Sequence, residues 1–164
     1  MRLTWTCARL DDVAPRALYQ MLALRSQVFV VEQACVFLDP DGLDLDPRVW
    51  QLLGESESEG AGEGDEGALM AGARLIGPLA KGPRQASPMI SRVVTAPAGR
   101  GLGLGRQLME RAIAECESRW PGLGIEIGAQ AHLQDFYASL GFVVTGEPYL
   151  EDGIPHVDMR RESR

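Results

Sequence analysis

The chain has 164 residues, enough for one domain with its own core, and its 45% hydrophobic and 24% charged content is that of a globular protein. A formal net charge of −7 argues against nucleic acid as the main partner, and no apolar run reaches the length of roughly 20 residues that spans a membrane. MRLTWTCARLDD lacks the apolar stretch of a secretory signal, and Cys7, Cys35 and Cys116 follow no metal or disulfide spacing, so the expected setting is a reducing cytoplasm.

Residues 2–8, RLTWTCA, read as a first strand. Asp11 or Asp12 is the expected cap of a helix carrying Pro15 near its first turn, with apolar positions 18, 21, 22, 28 and 29 at helical spacing. Arg25 falls within that apolar stripe and Glu32 lies on the same face. A buried arginine needs a carboxylate or carbonyl partner, so Arg25 is expected either to tie the helix to a neighbouring loop or to face a substrate. Residues 35–47, CVFLDPDGLDLDP, read as a loop with an Asp-Gly turn. Its aspartates lack the glutamate at the twelfth position of a calcium loop, and no metal is assigned to them.

VWQLL (49–53) and ALMAGARLI (68–76) are strand-like and flank GESESEGAGEGDEG (54–67), which holds six acids and no base. That stretch has too little apolar content to repay its ordering and is expected to be a disordered insertion within one domain spanning 1–164. MISRVVT (89–95) is a strand stopped by Pro97. The next helix places Leu108, Met109, Ala112, Ile113, Cys116 and Trp120 on one face, with Pro121-Gly122 after it. GIEIGA (124–129) is a strand, Leu133, Phe136, Tyr137 and Leu140 mark a short helix, and FVVTGEPYL (142–150) with HVDMRR (156–161) forms a last hairpin. The order implies an α/β (α+β) sheet with helices on both faces.

PAGRGLGLGRQL (97–108) joins a strand to a helix through four glycines in seven residues. Strand, glycine-rich turn and helix N-terminus in succession make an anion site, because unpaired N–H groups and about half a positive charge face whatever docks there. The P-loop pattern and the dinucleotide fingerprint both fail against these letters. A tight turn by itself accounts for one glycine of the four.

What is present, Arg100-Gly101-Leu102-Gly103-Leu104-Gly105, resembles the [QR]-x-x-G-x-[GA] loop of the GNAT superfamily of acyl-CoA-dependent N-acetyltransferases. FYASLGF (136–142) is similar to a second segment of that family and follows in the right order. LRSQVFVVEQACVFLDPDGLD, AQAHLQDFY and YLEDGIPHVDM resemble its ElaA-like branch, so the likeness covers nearly the whole chain apart from the acidic insertion.

The resemblance implies a GNAT-like mixed, largely antiparallel sheet of six to seven strands and acetyl-CoA as acyl donor. By it, backbone groups of Gly101, Leu102, Gly103, Leu104, Gly105 and Arg106, with Arg100, take the diphosphate. Val93, Val94 and Thr95 then run along the pantetheine arm, in a slot where their strand splays from 124–129, and Gln130 offers an amide. Tyr137 is the expected acid for the departing thiolate. Judged by spacing alone it is a core tyrosine. Glu126 resembles a catalytic glutamate of some relatives after a one-residue gap. Glu32, Glu151 and His156 are further acceptor-side candidates, histidine having the side chain whose ordinary pKa lies nearest neutrality; a water chain to solvent serves equally. The implied reaction is acetyl transfer to a primary amine of a small molecule or peptide. The alternatives are a non-catalytic acyl-CoA sensor and, from Arg25-Ser26-Gln27-Val28-Phe29, an enzyme like the acyl-homoserine-lactone synthases. A homodimer is expected by analogy only.

Overall fold

The computed structural model describes residues 1–57 and 67–164. The expected acidic insertion therefore has its centre, 58–66, outside the described residues. Its first residues are not loop: Ser56 closes a strand and bonds Ala68 through both its backbone N–H (2.9 Å) and its hydroxyl (3.3 Å).

Among the described residues eight strands form one open, mostly antiparallel sheet: β1 (Leu3–Ala8), β2 (Val49–Ser56), β3 (Leu69–Ile76), β4 (Met89–Thr95), β5 (Ile125–Gln130), β6 (Val143–Val144), β7 (Tyr149–Glu151) and β8 (Ile154–Arg161). Their order is β1-β2-β3-β4-β5-β8-β6, with β7 also paired to β8. The stretch 142–150, read as one strand, is split in two. Gly146 and Pro148 stand in the gap, where proline has no N–H for the ladder.

Among the described residues three α-helices cover the sheet: α1 (Pro15–Arg25), α2 (Leu104–Arg119) and α3 (Gln134–Ala138). Adjacent strand residues point to opposite faces, and Leu52 and Leu53 show what each face meets. Leu52 packs with Leu108, Met109 and Cys116 of α2 and Tyr137 of α3. Leu53 packs with Met21 and Leu24 of α1 and with Val94. Burying one such leucine contributes about 1.5–3 kcal/mol. Among the described residues no helix is long and apolar enough to cross a membrane.

Two local departures concern α1. Asp11 and Asp12 sit in a separate 3-10 turn, and Ala14, extended as a residue before proline must be, precedes the helix. Beyond Arg25 the helix loosens to π pitch over Ser26–Glu32.

The sheet is not continuous in its middle. The parallel neighbours β4 and β5 pair only at Met89↔Glu126. Between Gly72↔Val94 and Arg74↔Ser91, β3 spends Ala73 where β4 spends both Arg92 and Val93. That extra residue is a bulge, and bulges bend and twist the strand that carries them. Past Met89 β4 has no pair with β5, and beyond the bulge the edge it turns towards β5 has no strand on it among the described residues.

Candidate functional site

The loop after β4 ends at the first turn of α2, and its glycines divide by what the chain itself requires. Gly101 (φ +78°) and Gly103 (φ +75°) are left-handed, which costs other residues about 1–2 kcal/mol. A Cβ on Gly99 would lie 2.4 Å from Leu104 Cδ1. The turn therefore accounts for three glycines, not one. Gly105 is the exception: a Cβ there meets only Phe136 Cζ, at 4.0 Å. No described residue crowds the place of its side chain, and it leaves the front of α2 bare.

That front is electropositive. Gly103, at the cap position, has no side chain to satisfy the first N–H groups, and the first bond closing the helix is Gln107 N–H to the Gly103 carbonyl, at 3.2 Å. The N–H groups of Leu104, Gly105 and Arg106 precede it and point outward. Two arginines flank them. Arg100 pairs with Glu32 at 2.7 Å. Arg106 donates to Ser139 Oγ at 2.6 Å and lies over the Phe136 ring at 5.7 Å.

The slot between β4 and β5 leads away from this loop. Val94 turns into the α1-side core, and Val93 and Thr95 turn to the other face. Across the slot, Gln130 Nε2 donates to Gln33 Oε1 at 3.1 Å, joining the end of β5 to the end of the π-helical turn. Gln33 carries no sequence signal that marks it out. Tyr137 follows on α3, nearly buried and edge-on to Phe136 and Phe142. Burial pushes its phenol up to about 12, and no described residue hydrogen-bonds its hydroxyl. The group stays protonated at neutral pH.

On β5, Ile125, Ile127 and Ala129 enter the core while Glu126, Gly128 and Gln130 face the other way, opposite Arg160, Asp158 and His156 of β8. His156 Nδ1 is 2.7 Å from the Ile154 carbonyl, which can only accept. The neutral ring therefore carries its hydrogen on Nδ1 and keeps a lone pair on Nε2. Tyr149 stacks on that ring at 5.9 Å and donates its hydroxyl to Asp158 at 2.8 Å. Glu151 Oε2 lies 3.7 Å from His156 Nε2.

Two candidates lie apart from this group. Glu126 sits where β4 and β5 still pair, four residues and about 13 Å along the strand from Gln130. Its carboxylate is 3.1 Å from Arg160. Arg25 is 2% exposed and fully engaged, 2.8 Å from Asp39 and 3.1 Å from Asp44. Of its two expected roles, the structure gives it the tie to the loop.

The aspartates of that loop also hold Arg74 and Arg92, with Arg74 at 2.9 Å from Asp41 and Arg92 at 2.9 Å from Asp39. Burial by itself raises the Asp44 carboxyl. The hydrogen bonds and charge of Arg25, with Arg74 and Gln51, outweigh that and hold it below the usual carboxylate range.

Residues 57–163 match the family model for an acetyltransferase (GNAT) domain. Protein ElaA of Escherichia coli is 39% identical over 161 residues, 98% of this chain and 97% of that one. Its crystal structure agrees with a TM-score of 0.82 at 38% identity, covering 98% and 99% of the two chains. An acyl-CoA N-acyltransferase from Pseudomonas aeruginosa gives a TM-score of 0.86 at 43% identity, covering 97% of this chain and 99% of its own. The CoA-dependent acyl-homoserine lactone synthase BjaI gives a TM-score of 0.70 at 20% identity, over 99% of this chain and 83% of that one, a likeness of fold alone.

Proposed function

The chain belongs to the GNAT acetyltransferase family, and from that premise we propose that it moves an acetyl group from acetyl-CoA to a primary amine of a small molecule or peptide, by direct attack in a ternary complex. The observation that carries this reading is the bare first turn of α2 at Gly105, set at the end of a strand whose β5-facing edge is left open. A diphosphate fits the one, and an extended, amide-bearing arm fits the other as an added strand.

In this reading the N–H groups around Gly103, Leu104, Gly105 and Arg106 bind the diphosphate, with Gly101 and Leu102 shaping the loop and Arg100 and Arg106 adding charge. The backbone of Val93–Thr95 lines the pantetheine arm and gives an N–H to the thioester oxygen. A donor so placed is worth roughly 2.7–4 kcal/mol to an acyl-transfer transition state. Gln130 offers its amide to the arm.

The acceptor nitrogen attacks the thioester carbon. The new C–N bond forms, the C–S bond breaks, and the departing sulfur takes the Tyr137 hydroxyl proton. The proton lost by the amine goes to His156 Nε2, whose lone pair the Ile154 contact orients. His156 is preferred to Glu126, which Arg160 holds at the closed end of the slot. Glu151 and Glu32 belong to the acceptor rim, and Arg25 to the fold.

The test is a calorimetric titration with acetyl-CoA, followed by thiol release with a panel of primary amines. Saturable binding with amine-dependent release is the expected result. No binding overturns the reading, and binding with no release by any amine makes the protein a sensor.

A further inference from the structure

Arg92 is, among the described residues, the one non-glycine residue within a strand that has a positive φ (+51°); Ala34, Leu79 and Asp152 lie outside strands. Backbone in this region persists only where its surroundings hold it there. Arg92 is also half of the bulge in β4, three residues beyond its single pair with β5 at Met89.

The grip on that bulge is specific. Arg92 Nε lies 2.9 Å from Asp39 Oδ1; both atoms are buried, and neither has a hydrogen-bond partner among the described residues. The charge pair is what compensates their loss of water. A terminal nitrogen of Arg92 donates to the Asp39 carbonyl at 3.1 Å and lies 3.4 Å from Asp41 Oδ2, and the guanidinium stacks on Phe37 at 5.1 Å. Asp39 is fixed in turn by Arg25, at the end of α1. On the other flank of the bulge, Arg74 donates to Ser91 Oγ at 3.0 Å.

We propose that Arg92 is a positioning residue of the donor slot: tied to Asp39, it holds the bulge that keeps β4 away from β5, and so sets the room available to the pantetheine arm. The inference rests on the acyl-CoA reading above. Arg92 lies on the loop side of the strand and acts through the backbone of Val93–Thr95, which would meet the arm. Without the bend the bulge gives it, β4 beyond Arg92 would run closer to β5 and narrow the slot.

Arg92→Gly tests this, because glycine takes a positive φ without strain while the tether is lost. Two ligands are titrated: acetyl-CoA, and adenosine 3′,5′-diphosphate, which offers the nucleotide and a phosphate but has no pantetheine. The variant is expected to weaken acetyl-CoA about tenfold, the worth of one ordinary hydrogen bond or so, and to leave the nucleotide within about twofold. Arg92→Lys, which keeps a cation near Asp39, is expected to recover part of the loss. Unchanged affinity for both ligands overturns the inference and leaves the acyl-CoA reading standing. A parallel loss of both makes Arg92 a general support of the fold and overturns it too. A native chain that binds neither ligand overturns both proposals together.

Discussion

Replacing Gly105 by leucine separates what the glycine loop does for the fold from what it does for a ligand. Gly105 is the second residue of α2, in ordinary helical backbone, and outside its own helix the one described atom near its missing Cβ is Phe136 Cζ at 4.0 Å. A glycine-to-leucine change within a helix is worth about 0.5–1 kcal/mol in favour of the fold. For a chain of this size that is a rise in Tm of roughly 1–4 °C. The same side chain would stand over the free N–H groups at the start of α2. Losing two charge-assisted hydrogen bonds there costs at least about 3 kcal/mol, or more than 100-fold in Kd for acetyl-CoA. Gly105→Ala, which the family pattern tolerates, is expected to retain binding. Thermal melting without ligand and calorimetry with it read the two effects. Leucine with an unchanged Kd refutes the diphosphate placement. A fall in Tm alongside the Kd refutes the claim that Gly105 is free of packing duties.

Tyr137→Phe is expected to lower kcat by about 10²–10⁴ while acetyl-CoA affinity stays within about threefold; with the phenol raised to about 12, the native kcat shows no loss from its ionisation below pH 11. His156→Gln is expected to lower kcat by a comparable factor and Glu126→Gln to leave it nearly unchanged; the reverse outcome in steady-state kinetics would move the base to β5. Asp44→Asn removes one of the two carboxylates on Arg25, leaving Asp39, and is expected to cost about 1–3 kcal/mol, a fall in Tm of roughly 2–12 °C by calorimetric melting. The lowered pKa of Asp44 means that it binds its proton more weakly folded than unfolded. Its contribution is therefore complete above the ordinary value of 3.8 and is lost as the pH falls below it, so the variant melts with a flatter acid limb.

Much of the fold was legible because the hydrophobic spacing is regular. The strands 2–8, 89–95 and 124–129 lie within a residue or two of their observed bounds, and the Leu108–Cys116 stripe faces the sheet. The need of Arg25 for an acidic partner followed from burying a guanidinium, although the letters did not say that Asp39 and Asp44 supply it. The gaps have physical causes. A left-handed arginine inside a strand leaves no mark in composition, so the bulge was not readable. The pairings of Glu126 with Arg160, Gln130 with Gln33 and Tyr149 with Asp158 join residues 9 to 97 positions apart, fixed only once the sheet is assembled. The glycines were readable as a group but not individually, because positive φ, close packing and open space all call for the same letter.

The π-pitched turn after α1 is an α-helix carrying a surplus residue. Winding Ser26–Glu32 at ordinary α pitch, with no residue removed, would turn each residue further around the axis and swing everything beyond by about 100°. Glu32 would leave Arg100 and Gln33 would leave Gln130 in a single step, with the helix itself intact. The helix thus works as an indexed shaft: its phase, rather than its stability, brings Glu32 and Gln33 into register with Arg100 and Gln130, and a chain of this length wound at plain α pitch here would be well folded yet misaligned.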